Sequence, residues 1–215
     1  MSFIPPFLKS GDHVRIIAPS KQLQENQLSL ALKTFEKWGL RVSLGKNIFK
    51  TDGLFAGTDQ ERAQDLQEAF NDNRIKAIIC ARGGYGLSRI IDQIDFKEFI
   101  RNPKWVVGFS DITVLHQACL KNGISSIHGI MPVFFKEKET KKSTESLHQL
   151  LFGELQTYSF PGSQYNIPGS VKSVLNGGNL SMLTHLAGSP AWPKQPSAFI
   201  LEEIGEYFYK VDRML

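Results

Sequence analysis

The stretch Trp105-Val106-Val107-Gly108-Phe109-Ser110-Asp111-Ile112-Thr113 puts a serine between an apolar run and a helix-forming segment. That is the layout of a nucleophile elbow, in which a sharp strand-to-helix turn exposes the hydroxyl and aims nearby backbone N–H groups at a developing oxyanion. Ile112 stands where Gly-x-Ser-x-Gly would have its second glycine, so the match is to the layout and not to the full motif. The competing reading is that Ser110 or Asp111 caps the following helix, a position both residue types favour. A second candidate is Arg82-Gly83-Gly84-Tyr85-Gly86, which follows the apolar run Ile75 to Cys80. Its glycines free backbone N–H groups near a helix start, suiting an anion or an oxyanion. The spacing is neither a Walker loop nor Gly-x-Gly-x-x-Gly, and a tight connection without a ligand is the alternative.

Glu202 and Glu203 end the apolar run Ala198 to Leu201. Alternation along a strand would turn one carboxylate into a site and the other away. A carboxylate there could orient a histidine base, although adjacent acids at a strand end are commonly surface residues. Five histidines are available: His13, His116, His128, His148 and His185. His116 and His148 fall within helical patterns and read as surface or structural residues. His128, at a strand end, is the best placed, with a satisfied structural histidine as its alternative. Cys80 and Cys119 read as small buried hydrophobes, and two cysteines make neither a disulfide framework nor a zinc set.

The elements that must position these residues alternate between short apolar runs and amphipathic stretches, the pattern of βα units on a largely parallel sheet. Strands are expected at Val14 to Ala18, Arg41 to Leu44, Ile75 to Cys80, Trp105 to Val107, Ser126 to His128 and Ala198 to Leu201. Helices are expected over residues 25–38, where Gly39 supplies the stop, after Thr58-Asp59, and over Thr113 to Leu120. Asn176-Gly177-Gly178-Asn179-Leu180-Ser181 reads as a segment leading into another helix. Pro161-Gly162-Ser163 and Pro168-Gly169-Ser170 bracket an aperiodic polar stretch, which places a domain boundary there. The expectation is an α/β fold, a mostly parallel sheet flanked by helices as in flavodoxin-like and Rossmann-like domains. Residues 1–160 form this domain, and residues 161–215 begin a smaller, incomplete α/β domain. In such open sheets ligands bind outside the carboxyl ends of the strands, where all three candidate segments fall.

Composition excludes more than it selects. The 215 residues are 41% apolar and 21% charged, with a formal net charge of +4, ordinary for a globular chain. Lys136-Glu137-Lys138-Glu139-Thr140-Lys141-Lys142 alternates in sign, which marks a solvated face and not a phosphate groove, so no nucleic-acid partner is expected. The first residues lack a signal-peptide layout, and no apolar run approaches the ~20 residues of a membrane span. A cytoplasmic location with no membrane partner is therefore expected.

Several stretches, taken in order, resemble the LD-carboxypeptidase family, serine peptidases that include muramoyltetrapeptide carboxypeptidases and microcin-immunity peptidases. They are Val14-Arg15-Ile16-Ile17-Ala18-Pro19-Ser20, Ala81-Arg82-Gly83-Gly84-Tyr85-Gly86, Gly108-Phe109-Ser110-Asp111-Ile112-Thr113, His128-Gly129, Gly177-Gly178-Asn179-Leu180-Ser181, Leu201-Glu202-Glu203-Ile204-Gly205-Glu206 and Val211-Asp212-Arg213-Met214-Leu215. The resemblance implies that Ser110 is the nucleophile and Glu202 orients the catalytic histidine. It further implies that the backbone N–H groups of Gly84 and Asp111 form the oxyanion hole. Arg82 is a candidate contact for a substrate anion, and equally a surface salt-bridge residue. The family's histidine lies downstream of the Asp-Arg-Met-Leu segment, and neither His128 nor His185 matches its position. The resemblance thus implies a fragment of a longer enzyme, close to inactive as it stands, because Ser110 without a base keeps its proton. It also implies a homodimer, no metal or organic cofactor, and a murein tetrapeptide substrate that loses its terminal D-alanine in cell-wall peptide recycling. The alternatives are a microcin-immunity-type peptidase acting on a peptide or aminoacyl nucleotide, a non-catalytic peptide-binding module, and a nucleotide-binding flavodoxin-like domain.

Overall fold

Strand β1 (His13–Ile17) sits near the middle of a five-stranded parallel sheet with β2 (Arg41–Leu44), β3 (Ile75–Cys80), β4 (Trp105–Gly108) and β5 (Ile127–His128), in the order β2-β1-β3-β4-β5. The structure is a computed structural model and describes residues 3–154, 157–190, 192 and 196–215. The near-continuous apolar runs of β3 and β4 are what a parallel strand covered on both faces requires, and Ala77, Ile78, Ile79, Val106 and Val107 are all fully buried.

Two apolar clusters sandwich the sheet. On one face Val14, Ile16, Ala77, Ile79 and Val107 pack against Ala31 and Phe35 of α1 (Ser29–Lys37) and Leu147 and Leu151 of α5 (Lys141–Leu151). On the other, Ile17, Ile78, Cys80 and Val106 meet Leu66 and Phe70 of α2 (Asp59–Asn71), Phe99 of α3 (Lys97–Arg101), and Val114 and Leu115 of α4 (Thr113–Lys121). The chain runs outward from β1 to β2 and then returns past β1 to β3. The connections after β1 and β3 thus leave the sheet in opposite directions, the switch point at which such folds place their ligands.

Local chemistry fixes the helix starts. Thr58 Oγ1 accepts from the Glu61 amide at 3.3 Å while Glu61 returns a carboxylate to the Thr58 amide at 2.9 Å, a capping box at the start of α2. The helix expected over residues 25–38 begins as a tight turn, Glu25–Leu28, and becomes α-helical only at Ser29.

A second, two-stranded parallel sheet pairs β6 (Val174–Asn179) with β7 (Ser197–Glu202), connected through α6 (Leu180–Leu186) and followed by α7 (Phe208–Met214). The segment Asn176 to Ser181 leads into a helix as expected, α6 from Leu180. Asn176 to Asn179 is in addition strand, which was not expected, with Gly177 and Gly178 at φ +141° and +133°. Those angles admit glycine alone at low cost, which hides the strand from a propensity reading.

Within α4, His116 is buried against the end of β4, its Nε2 2.8 Å from the Gly108 carbonyl and its Nδ1 2.8 Å from Ser126 Oγ. A carbonyl only accepts, so Nε2 carries the proton and Nδ1 accepts the Ser126 hydroxyl. Burial pushes this imidazole down to about 4. Its folded pKa lies below its unfolded value, so its contribution is fully present above about pH 6.5 and lost as pH falls toward 4. Urea unfolding at pH 7 and pH 4.5 should therefore reveal a loss of up to about 3 kcal/mol that His116→Gln largely abolishes. Equal pH sensitivity in both proteins would refute the assignment.

Candidate active site

Ser110 follows β4 at φ +63°, the sole non-glycine positive φ among the described residues. The left-handed region costs an L-residue roughly 1–2 kcal/mol, and such strain persists only where surrounding contacts impose it. The helix-cap reading of Ser110 and Asp111 does not hold. A turn at Ser110–Ile112 leads into α4, and neither start is capped by a side chain. The Asp111 carboxylate instead turns inward, Oδ2 accepting from Ser20 Oγ at 2.6 Å and from the Leu87 amide at 2.9 Å. Burial raises its pKa, opposed by the bonds from Ser20 and Leu87.

The glycine turn after β3 lies directly on this elbow. A Cβ added to Gly83 would sit 3.1 Å from Ser110 Cβ and 3.2 Å from the Phe109 carbonyl oxygen. Gly84 is at φ +116°, and a side chain there would run into the aliphatic stem of Lys21. The loop after β1 closes over the turn, with the Lys21 amide donating to the Gly83 carbonyl at 3.4 Å. Arg82 is half-buried and gives Nη1 to the Gln22 carbonyl at 3.1 Å, so it supports the same loop.

The second sheet joins the site through α4. Gln117 Nε2 donates to Asn176 Oδ1 at 2.8 Å and to the Gly177 carbonyl at 3.2 Å, and the Asn179 amide donates to Thr113 Oγ1 at 3.0 Å. A Cβ on Gly178 would come 2.7 Å from Thr113, and one on Gly177 would overlap the Ile200 carbonyl. The glycine pair thus lets β6 fit between α4 and β7. Glu202, the last residue of β7, lies opposite Asn179.

The two adjacent acids share the Asn179 side chain and otherwise differ in partner. Glu203 accepts from the Ser181 amide at 3.0 Å and Ser181 Oγ at 2.6 Å, holding the start of α6. Glu202 Oε1 lies 3.8 Å from Nε2 of His128 at the end of β5. That is too long for a hydrogen bond. Burial raises the Glu202 pKa, opposed by a bond from Asn179 and aided by Glu203, and burial lowers that of His128. Both groups are driven toward their neutral forms.

The structure therefore brings Ser110, Gly83, Gly84 and Asp111 into one cluster, while Glu202 stands at the end of the second sheet beside His128. His185 lies in α6 and His148 in α5, where His148 stacks on Phe152. No group of three His, Cys, Asp or Glu able to hold a metal occurs among the described residues. Ser20, Lys21 and Arg62 escaped the sequence reading. Arg62 carried a signal: it precedes Leu66 by four residues and Ala69 by seven, and so lies on the apolar face of α2.

Comparison with known proteins fits this geometry. Residues 14–129 match the model of the LD-carboxypeptidase N-terminal domain, and residues 172–215 that of the C-terminal domain. The chain belongs to the LD-carboxypeptidase family. A probable murein peptide carboxypeptidase of Bacillus subtilis is 37% identical over 221 residues, covering all of this chain and 69% of its own length. The solved muramoyltetrapeptide carboxypeptidase of Oxalobacter formigenes superposes with a TM-score of 0.81 at 30% identity, over 94% of this chain and 70% of that one. A microcin self-immunity protein of Escherichia coli is 26% identical over 208 residues, 82% of this chain and 60% of its own. Membership makes this LD-carboxypeptidase homologue a carboxypeptidase-type hydrolase with the α/β fold described. No helix among the described residues is long and apolar enough to cross a membrane.

The glycine pair offers a direct test of how the two sheets are joined. Gly177→Ala forces a Cβ into the Ile200 carbonyl at a positive φ and should cost at least about 2 kcal/mol, with faster proteolysis within residues 172–215. Gly162→Ala, in open space, should change neither chemical denaturation nor cleavage. Indistinguishable variants would refute the close approach.

Proposed function

We propose that this protein is a serine peptidase, with Ser110 as its nucleophile, that hydrolyses the L,D-peptide bond before the terminal D-alanine of murein tetrapeptides, in cytoplasmic recycling of cell-wall peptides. The observation that carries the reading is Ser110 at φ +63° at the end of β4 with Gly83 packed against it. This is strained backbone of the kind a nucleophile elbow requires. Kinship with a probable murein peptide carboxypeptidase supports the substrate class.

In the proposed reaction a histidine oriented by Glu202 takes the Ser110 proton, and Oγ attacks the scissile carbonyl. The backbone N–H groups of Gly84 and Asp111 receive the oxyanion. Collapse expels the D-alanine amine, which takes the proton from the histidine, and a water then releases the acyl group from Ser110. Arg82, beside the glycine turn, is the proposed contact for a substrate anion. The working form is a homodimer, and neither nucleic acid nor a cofactor takes part. Kinship with a microcin self-immunity protein supports a second reading, a peptidase acting on a peptide or aminoacyl nucleotide.

The test compares the protein, produced with any coding sequence that follows Leu215, with its Ser110→Ala and Glu202→Ala variants. Each is incubated with a murein tetrapeptide, and D-alanine release is followed by mass spectrometry. Ser110→Ala should lose at least about a thousandfold in rate, and Glu202→Ala less. Absence of release from the wild type would shift the assignment to the immunity-type substrate. Release undiminished in Ser110→Ala would end the nucleophile reading.

A further inference from the structure

Two buried charges of opposite sign grip the loops that meet at the crevice. Arg62 in α2 is 1% exposed, and its Nη1 donates to the Pro19 carbonyl at 2.8 Å and the Gly86 carbonyl at 3.0 Å. Its Nε reaches the Gly57 carbonyl at 3.3 Å, and its Nη2 pairs with Asp59. Asp111 is fully buried and accepts from Ser20 Oγ and the Leu87 amide. The guanidinium thus holds the carbonyls of Pro19 and Gly86, and the carboxylate holds donors on the residues next in sequence to each. Two points on the loop after β1 are bound to two points on the glycine turn after β3.

The stability such a pair contributes does not explain it. Buried charges are expensive to desolvate, and well-packed apolar residues commonly serve stability as well or better. Asp111 Oδ1 has no hydrogen-bond partner among the described residues, an added cost. Geometry is what the pair supplies, since charge-assisted hydrogen bonds are short and directional. The segment they fix includes Gly83, whose Cα lies against Ser110, and Gly84, the proposed oxyanion donor.

We infer that Arg62 and Asp111 are positioning residues, a two-sided clamp that seats the glycine turn against Ser110. The inference rests on the proposed role of that turn as half of an oxyanion hole, and its test has one arm independent of that role. The independent arm is amide hydrogen exchange at Leu87, with the β3 amides as internal reference. The dependent arm is the rate of Ser110 modification by a fluorophosphonate probe, on the protein produced with any coding sequence that follows Leu215.

Asp111→Ala should accelerate Leu87 exchange about tenfold while β3 amides keep their protection, and slow Ser110 modification about ten- to a hundredfold. Asp111→Asn, whose amide oxygen still accepts both donors, should restore both readings to within about threefold of wild type. If Asp111→Ala does not fold, Ser20→Ala and Arg62→Lys decide, each expected to speed Leu87 exchange selectively. Exchange that rises equally across the sheet would mean a purely structural role, and unchanged Leu87 exchange would mean no clamp; either overturns the inference. Selective acceleration at Leu87 with no modification of wild-type Ser110 would uphold the clamp and count against the nucleophile.

Discussion

The arrangement depends on the backbone of Ser110 being held in a conformation it would not adopt unaided. A left-handed φ at a non-glycine residue persists only when neighbours over-determine it, and the constraints come from three directions. His116 ties the preceding Gly108 carbonyl to α4. The following carboxylate, Asp111, is anchored on the loops after β1 and β3. Gly83 fills the remaining side so closely that no Cβ fits without displacing something. The constraints come from α4 and from the connections after β1 and β3, so the strain at one residue is sustained by several elements.

Electrostatics in the crevice follow from the same packing. Asp111 and Glu202 are raised by burial and His128 is lowered by it, so the interior disfavours charge on all three. Asp111 is compensated by two donors and by the nearby Arg62. Glu202 has His128 beyond hydrogen-bond reach. A carboxylate raised in this way accepts most strongly once a cationic donor approaches, which is the state a histidine reaches after taking a proton from serine.

Much of this was legible in the sequence because it depends on local pattern. The buried runs of β3 and β4, the helix start at Thr58-Asp59 and the elbow layout around Ser110 use residue types whose preferences coincide with their structure. What was not legible depends on contacts distant in sequence. Nothing near Asp111 tells that its carboxylate faces Ser20, ninety-one positions away, and a helix-capping preference pointed elsewhere. The β6 strand was missed because Gly177 and Gly178 are disfavoured in strands in general and are needed in this one by Ile200 and Thr113. Arg62 was passed over because arginine is usually exposed, although its spacing placed it on the buried face.

The two sides of the site are secured unequally. Ser110 follows a central strand of a five-stranded sheet covered by apolar clusters on both faces, whereas Glu202 ends a parallel pair that contacts the rest of the protein chiefly through α4 and the turn that leads into it. Parallel sheets are normally covered on both faces, yet Phe199, Ile200 and Leu201 of β7 are each more than two-fifths exposed. The position of Glu202 is therefore set from the α4 side, by Gln117, Thr113 and the two glycines. Because α4 starts at the elbow and is bonded to β6, one helix supports both the proposed nucleophile and the strand pair that ends in Glu202.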